Sequence, residues 1–326
     1  MSGIVDKQEV LIAALADGKF HSGEALAGEM GISRTAIWKR IKTLSDLGLD
    51  VFSVRGKGHR LSQPLDLLDE SLILKYLERN SSVSLEVLTV TDSTNRYLFN
   101  RSLDLVDHAA VVVAEYQQAG KGRRGNAWIS PYAAGLCLSM AWHFDSSPAS
   151  IMSLSLATGV AVCRSLERLG LKSVGLKWPN DIISGGQKLG GILLESKSES
   201  AGASDVVIGI GLNVSLPDNA IEKVDQAITD LTRIGAGTVS RNRLAAFIID
   251  DLLKMLMDYQ AGGFSSFIDD WREYDELAGR EGELILPREK LNGKILGIDE
   301  SGLLMMSING KTRTFSSGEV SLRLSS

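Results

Sequence analysis

Three changes of pattern along the chain predict a multidomain α+β protein. Residues 1–65 read as three short helices followed by a β-hairpin, a winged helix-turn-helix. Residues 66–273 mix amphipathic helices with apolar and glycine-bearing strands, and residues 274–326 hold only short strands and tight turns, as in a small β-barrel. A chain of 326 residues exceeds what one hydrophobic core ordinarily serves. Hydrophobic residues at 44% against 23% charged describe a folded chain and not a disordered one. No apolar run approaches the roughly 20 residues that span a bilayer, and polar residues 1–9 lack a signal-peptide core, so a cytoplasmic protein with no membrane partner is expected. Cys137 and Cys163 sit in apolar surroundings as small hydrophobes, and His21, His59, His108 and His143 are too scattered to suggest a metal site.

Val10, Leu11, Ala14 and Leu15 recur at helical spacing over residues 7–17, and Gly18 ends the run. Ser22 is placed to cap a second helix that ends at Gly31, and Ser33 a third over residues 34–47. On that third helix Ile37, Ile41 and Leu44 share one face, while Thr35, Lys39, Lys42 and Thr43 occupy the other with Arg34 and Trp38 at its edge. A hairpin with the basic tip Arg55-Gly-Lys-Gly58 follows. The whole chain carries −5, yet residues 31–60 hold seven cations against Asp46 and Asp50, leaving −10 on the other 296 residues. Such asymmetry places a polyanion site at the N-terminus. DNA is the expected partner, met by Ser33, Arg34, Lys42 and Lys57, with Thr35, Trp38 and Lys39 nearest the bases. A protein-interaction module with a merely solvated basic face is the alternative that this charge pattern disfavours.

Gln63-Pro64 marks a boundary, and a short helix is expected over residues 69–78. Thr91-Asp-Ser-Thr-Asn95 precedes an amphipathic helix bearing Tyr97 and Leu98, where its hydroxyls need do no more than cap. Residues 136–144 read as a buried strand. Pro148 at a first helical position and Gly170 past the end bracket a long apolar helix, and Ser240 and Gly262-Gly263 bracket another. Beyond Trp271, strands are expected at 283–286, 294–298, 303–308, 312–315 and 320–322, with a hairpin turn at Asn309-Gly310 and no catalytic constellation.

The most informative stretch is residues 117–128, QQAGKGRRGNAW, which packs Gly120, Gly122 and Gly125 among Lys121, Arg123 and Arg124 after an apolar strand. Glycines let backbone approach a ligand closely, and guanidinium groups grip carboxylate and phosphate oxygens through several hydrogen bonds. The spacing Gly-x-Gly-x-x-Gly also matches a dinucleotide loop, but Trp128-Ile-Ser-Pro131 follows where a helix should open, and Gly-Lys-Ser/Thr of a phosphate-binding loop is absent. A small anionic ligand fits the loop, and a flexible solvated loop is the alternative.

Two strand-like runs then meet at Ser184-Gly-Gly. A two-residue loop there sets Ile183 opposite Lys188 and Asp181 diagonally from Lys188 on one sheet face, as a salt bridge or as part of a site. In residues 205–214, Ile208, Ile210 and Leu212 alternate with Gly209, Gly211 and Asn213. The bare second face is a floor for a flat ligand that Asn213 could read, or a surface for close helix packing.

Taken together, the winged helix, Asp92-Ser-Thr-Asn95, the Gln117-x-x-Gly-Lys-Gly-Arg-Arg-Gly loop with Trp128, Lys177-Trp-Pro-Asn-Asp181, Lys188-Leu-x-Gly-Ile-Leu-x-Glu195, Gly209-x-Gly-x-Asn213 and Gly318-Glu-Val-Ser-Leu322 resemble the bifunctional biotin–protein ligases that also repress biotin operons. The resemblance covers essentially the whole chain, and six motifs in order are specific where each alone is weak. It implies a central domain of the class II synthetase-like mixed-sheet type and an SH3-like C-terminal barrel. It also implies ligation through biotinyl-5′-AMP from biotin and ATP with Mg2+, a biotin carboxyl carrier protein as acceptor, and an adenylate-bound homodimer on operator DNA.

By the same resemblance Ser93, Thr94, Asn95, Gln117, Gly120, Lys121, Gly122, Arg123, Lys188 and Gly191 surround biotin. Lys121, Arg123, Arg124, Trp128, Lys177, Asn180, Lys188 and Asn213 take the adenylate, with Trp128 on adenine. Arg123, Lys188 and Asp181 are catalytic, Asp181 by orienting or deprotonating the acceptor lysine, and no residue is assigned to the metal, which ATP carries. Two positions depart from the family pattern: Lys121 stands where arginine is common, and Asn126 where a basic residue is common, so weaker retention of the adenylate is expected. A ligand-sensing transcription factor with an inactive central domain and a lipoate-type ligase are the competing readings. The intact cation set argues against the first, and the winged helix and basic loop against the second.

Overall fold

Capping and apolar spacing set the first helices. In a computed structural model that describes residues 7–78, 83–101, 109–145, 151–198, 204–222, 224, 226–286, 289–316 and 321–324, they are α1 (Lys7–Leu15), α2 (Gly23–Met30) and α3 (Arg34–Thr43). Ser22 Oγ accepts the Ala25 N–H, Ser33 Oγ accepts the Ala36 N–H, and Gly31 closes α2 at φ 60°. The third helix ends earlier than expected, because residues Leu44–Leu47 tighten into a 3-10 turn that Gly48 stops at φ 80°. Strands β1 (Val51–Val54) and β2 (Gly58–Leu61) form the expected hairpin. Leu11, Leu15, Leu26, Ile37, Ile41, Leu44 and Leu61 share one buried cluster, which also takes Tyr132 from the central part of the chain.

The central part opens with α4 (Glu70–Tyr76), capped by the Asp69 carboxylate. Strands β3 (Val83–Thr91), β4 (Ala109–Gln117), β5 (Gly135–Phe144), β6 (Gly175–Lys177), β7 (Asp181–Ser184), β8 (Gln187–Ser198) and β9 (Ser204–Asn213) make one mixed sheet in the order β3-β4-β5-β9-β8-β7-β6. Only β3 and β4 run parallel. Helix α5 (Thr94–Asn100) joins β3 to β4, α6 (Ile151–Arg168) joins β5 to β6, and α7 (Asp218–Ile221), α8 (Arg241–Gly262) and α9 (Ile268–Tyr274) follow the sheet. Pro148 lies outside the described residues, as do His108 and residues 318–320.

Alternation along the strands decides which face each side chain meets. Val111, Val113, Leu138, Met140, Ile208, Ile210 and Leu212 point into a core closed by Leu154, Val160 and Leu166 of α6 and Leu244, Ile248 and Leu252 of α8. Each such buried aliphatic side chain contributes about 1.5–3 kcal/mol. The opposite face is covered only in part: Leu98 of α5 packs on Val112, Ala141 and Val207. The candidate site occupies the neighbouring part of that face.

The C-terminal strands β10 (Glu281–Ile285), β11 (Lys290–Ile298), β12 (Leu304–Ile308), β13 (Lys311–Phe315) and β14 (Ser321–Leu324) form a five-stranded antiparallel sheet in the order β13-β12-β11-β10-β14. Asn309 and Gly310 take positive φ in the two-residue turn, as their sequence demands. No helix among the described residues is long and apolar enough to cross a membrane.

The segment that joins the winged helix to the sheet is latched by the start of α8. Arg241 is 2% exposed; its Nη1 donates to Glu115 Oε2 (2.6 Å) and to the Asp66 carbonyl (2.8 Å), and its Nε to the Gly135 carbonyl (2.9 Å). Glu115 in turn accepts the Leu68 N–H, while Asn242 donates to the Leu67 carbonyl and accepts the Asp69 N–H. Removing one partner of a buried pair strands the other charge. Arg241→Met is therefore expected to lower the unfolding free energy by about 3–5 kcal/mol, read as a lower urea midpoint at unchanged slope. An unchanged midpoint would contradict the latch.

Candidate active site

The site rests on β9. On its outer face a Cβ at Gly209 would lie 2.1 Å from Asn95 Oδ1, and a Cβ at Gly211 would lie 2.4 Å from Trp128 Cε2. The expected open floor is thus filled by the chain itself. Asn95, from the first turn of α5, occupies one bare position, as the helix-packing alternative has it, and the Trp128 indole occupies the other. Asn213 is buried and its Nδ2 donates to the Thr229 carbonyl (2.9 Å), so this amide edge is committed inside the protein.

The stretch 91–95 does not act as a cap in the expected way. Ser93 holds the N-cap position of α5 without a side-chain capping bond. Instead Thr94 donates from both its N–H (2.8 Å) and its hydroxyl (3.1 Å) to Gln117 Oε1 at the end of β4. Ser139 Oγ lies 2.7 Å from Thr94 Oγ1 and 2.6 Å from Asn95 Oδ1, so one hydroxyl proton serves two acceptors. Asn95 Nδ2 donates to the Leu193 carbonyl and to Glu195 Oε2. Ser93, Thr94 and Asn95 are all buried, and a network this dry fixes the orientation of each member.

The basic loop folds back as a tight hairpin. The Trp128 N–H donates to the Gly120 carbonyl (2.9 Å) and the Gly122 N–H to the Asn126 carbonyl (2.7 Å). Gly120 has no room for a side chain, since a Cβ would sit 2.6 Å from the Trp128 carbonyl oxygen. Arg124 takes φ 58° and Gly125 φ 75°, which turns the loop and sends Arg123 inward. There Arg123 Nη1 donates to Asn180 Oδ1 (3.2 Å). Burial depresses the Arg123 pKa, repulsion from Arg124 adds to this, and Asp181 opposes it.

Ile183 pairs with Lys188 across the two-residue turn Gly185-Gly186, as the spacing predicts. A bulge between Ile182 and Ile183 then shifts the register, so that Asp181 stands opposite Gly191 and not diagonally from Lys188. The side chains still meet: Lys188 Nζ and Asp181 Oδ1 are 2.7 Å apart, each side chain 19% exposed. The backbone of Lys188 is held from the other side by the Ala227 carbonyl and the Thr229 N–H. The Lys188 ammonium is also 5.9 Å from the Trp128 ring centre. Trp178, buried before a cis proline, donates from Nε1 to the Gly302 carbonyl and ties this motif to the C-terminal unit.

These groups line a cavity of about 810 Å3. Ser93, Thr94, Asn95, Gln117, Lys121, Gly122, Arg123, Arg124, Trp128, Lys177, Asn180, Asp181, Lys188, Gly191 and Asn213 all border it, and of the expected ligand residues only Gly120 lies behind the wall. Sequence reasoning missed Ser139, which supports Thr94 and Asn95 from behind, and Gln226, Ile228 and Leu322, which border the cavity. The last reaches the cavity from β14. Small residues at Cys137, Ser139 and Ala141 on the site face of β5 were the available signal for Ser139, while the others depend on contacts remote in sequence. No cluster of three or more His, Cys, Asp or Glu side chains is placed to hold a metal among the described residues.

The expected DNA-contacting residues form a separate surface. Arg34, Thr35, Trp38, Lys39, Lys42 and Lys57 are exposed, and Lys42 Nζ sits 3.7 Å from the Trp38 ring centre. Ser33 is exposed too, with its Oγ engaged as the α3 cap.

Comparison with known proteins agrees with this division. Residues 87–213 match the biotin/lipoate A/B protein ligase family, residues 7–60 an HTH domain, and residues 279–323 the biotin protein ligase C-terminal domain. The bifunctional ligase/repressor BirA of Salmonella typhimurium is 41% identical over 96% of both chains, and that of Bacillus subtilis 30% identical over 99% of this chain and 100% of its own. The biotin protein ligase of Aquifex aeolicus, solved with biotin and ATP, superposes with a TM-score of 0.63 at 25% identity, covering 74% of this chain and 99% of that one. The chain belongs to the family of bifunctional biotin ligase/repressors.

Proposed function

We propose that this protein is a cytoplasmic biotin–protein ligase and a DNA-binding repressor of biotin synthesis genes. The observation that carries the ligase reading is the convergence of Arg123, Lys188 and Asp181 with the Thr94–Gln117 network in one cavity beside Gly209 and Gly211 of β9. In the first step the biotin carboxylate attacks the α-phosphorus of MgATP and pyrophosphate leaves, giving biotinyl-5′-AMP. Two anions approach and charge builds on the phosphoryl oxygens, so fixed cations are required. Arg123, Lys121 and Lys188 supply them, Arg124 and Lys177 border the same space, and magnesium enters with the nucleotide as substrate. Ser93, Thr94, Asn95, Gln117 and Gly191 are assigned to biotin, with Gly120, Gly122 and Lys121 in the loop above. Trp128, Asn180 and Asn213 are assigned to the adenylate.

In the second step a lysine of a biotin carboxyl carrier protein attacks the mixed anhydride, an amide forms and AMP leaves. Its amine is mostly protonated at neutral pH and must lose a proton to attack. Asp181 is released from Lys188 when that ammonium turns to phosphate, and it then orients the incoming amine. We divide the chain into a DNA-binding domain (1–65), a catalytic domain (66–273) and a C-terminal domain (274–326), each enclosing one of the matched family segments.

For the repressor, the adenylate is proposed to act as corepressor by favouring a homodimer whose paired winged helices meet a palindromic operator. Sedimentation with and without biotin and MgATP checks this. A shift from monomer to dimer is expected, and one unchanged species would rule it out. The ligase is tested by intact mass of an apo biotin-carrier domain after incubation with the protein, biotin and MgATP. One biotinyl addition is expected, lost with Arg123→Ala. Asp181→Ala is expected to leave adenylate formation intact while slowing single-turnover transfer by on the order of 100-fold. Transfer at the wild-type rate would remove Asp181 from the second step.

A further inference from the structure

The basic segment contains an arginine that neither the helix pattern nor the cavity uses. Arg60 lies on β2 directly opposite Phe52 on β1, on the face of the hairpin away from the buried Leu61. Its guanidinium is 5.2 Å from the Phe52 ring centre and 5.1 Å from that of Phe20, in the turn between α1 and α2. Lys57, in the hairpin turn, stands 5.9 Å over the same Phe20 ring. Both rings are themselves exposed, Phe52 at 50% and Phe20 at 37%. The two exposed rings flank one guanidinium.

What they hold is a guanidinium with its donors unspent. The Arg60 side chain makes no hydrogen bond or ion pair to any described residue, and its Nε is buried without a partner. Aromatic faces attract the cation and restrict its rotation, yet they use none of its N–H groups. An arginine held in this way has lost much of its side-chain entropy before any ligand arrives, which lowers the cost of binding an anion. Nearby charge selects the anion: seven cations face two acids over residues 31–60, and the exposed Thr35, Trp38 and Lys39 of α3 belong to the same small unit.

The geometry points to Arg60 as a phosphate-binding side chain of the wing, pre-positioned by Phe20 and Phe52 to grip the DNA backbone beside the groove that α3 enters. This rests on the DNA-binding reading above and adds to it a residue and a device. A guanidinium presents two parallel N–H groups to one phosphate, whereas the neighbouring Lys57 supplies a point charge. Such a contact adds affinity for any sequence and carries no base information.

The test measures binding of the full-length protein, with biotin and MgATP present, to a labelled duplex of arbitrary sequence between about 50 and 200 mM salt. Arg60→Met keeps a chain between the two rings and removes the charge. It is expected to weaken binding several-fold at low salt and to flatten the slope of log K against log[salt] by about 0.9, one phosphate contact. Arg60→Lys is expected to retain the slope, and Phe52→Leu to weaken binding with the slope kept. A melting temperature and far-ultraviolet spectrum like those of the wild type show that the wing is folded in each variant. If Arg60→Met, so folded, binds with wild-type affinity and slope, the proposal is overturned, and the stacked arginine serves the hairpin or an acidic protein partner. If the wild type itself fails to bind the duplex at low salt, the DNA-binding reading falls and this proposal with it.

Discussion

Two positions without side chains on β9 determine how the site is assembled. Because Ile208, Ile210 and Leu212 must face the core formed with α6 and α8, residues 209, 211 and 213 necessarily face the other way. At 209 and 211 the chain leaves room for a helix and a loop to reach the sheet. Asn95 fills the first space and thereby fixes the start of α5, where Thr94 and Gln117 meet. Trp128 fills the second and draws the end of the cationic loop down over the cavity. A methyl group at either glycine would collide with these side chains, so the binding network and the loop depend on the same strand.

The electrostatics follow from that closure. A cavity already rich in cations would be poorly tolerated without a ligand, and the protein offsets part of the charge by pairing Lys188 with Asp181, while the Asn180 amide oxygen accepts a hydrogen bond from Arg123. Burial still depresses the Arg123 pKa, so the site gains when an anion arrives to stabilise its charged form. On the proposed mechanism the adenylate takes over Lys188 and leaves a carboxylate free at the place where the acceptor amine must approach. One ion pair would then serve both steps, first as a store of positive charge and afterwards as a source of a base.

The winged helix was legible because its signals are local. Ser22 and Ser33 cap the helices they precede, Gly31 ends the first, Gly48 ends the 3-10 turn that follows the second, and the hairpin register follows from a short turn. The Gly185-Gly186 turn was legible for the same reason. What escaped the sequence is the result of distant competition. Gln117, more than twenty residues away, takes the Thr94 N–H and hydroxyl while Ser93 at the N-cap makes no capping bond, and the bulge at Ile182 alters the register that simple counting gives. Leu322 enters the cavity from the far end of the chain, and the Arg241–Glu115 latch joins residues 126 apart. The family resemblance supplied the ligand assignments that spacing alone left open between a salt bridge and a site.

On the proposed mechanism, seating Trp128 on Gly211 closes the cavity around the adenylate. Pyrophosphate release in the first turnover, measured with biotin and MgATP but no acceptor protein, tests it most directly when the wild type is set beside Gly211→Ala. A burst of about one pyrophosphate per wild-type chain followed by slow release is expected, with the burst rate or adenylate retention reduced at least about tenfold in the variant, on the order of 1.4 kcal/mol of lost stabilisation. Equal bursts and equal retention in the two proteins would contradict it.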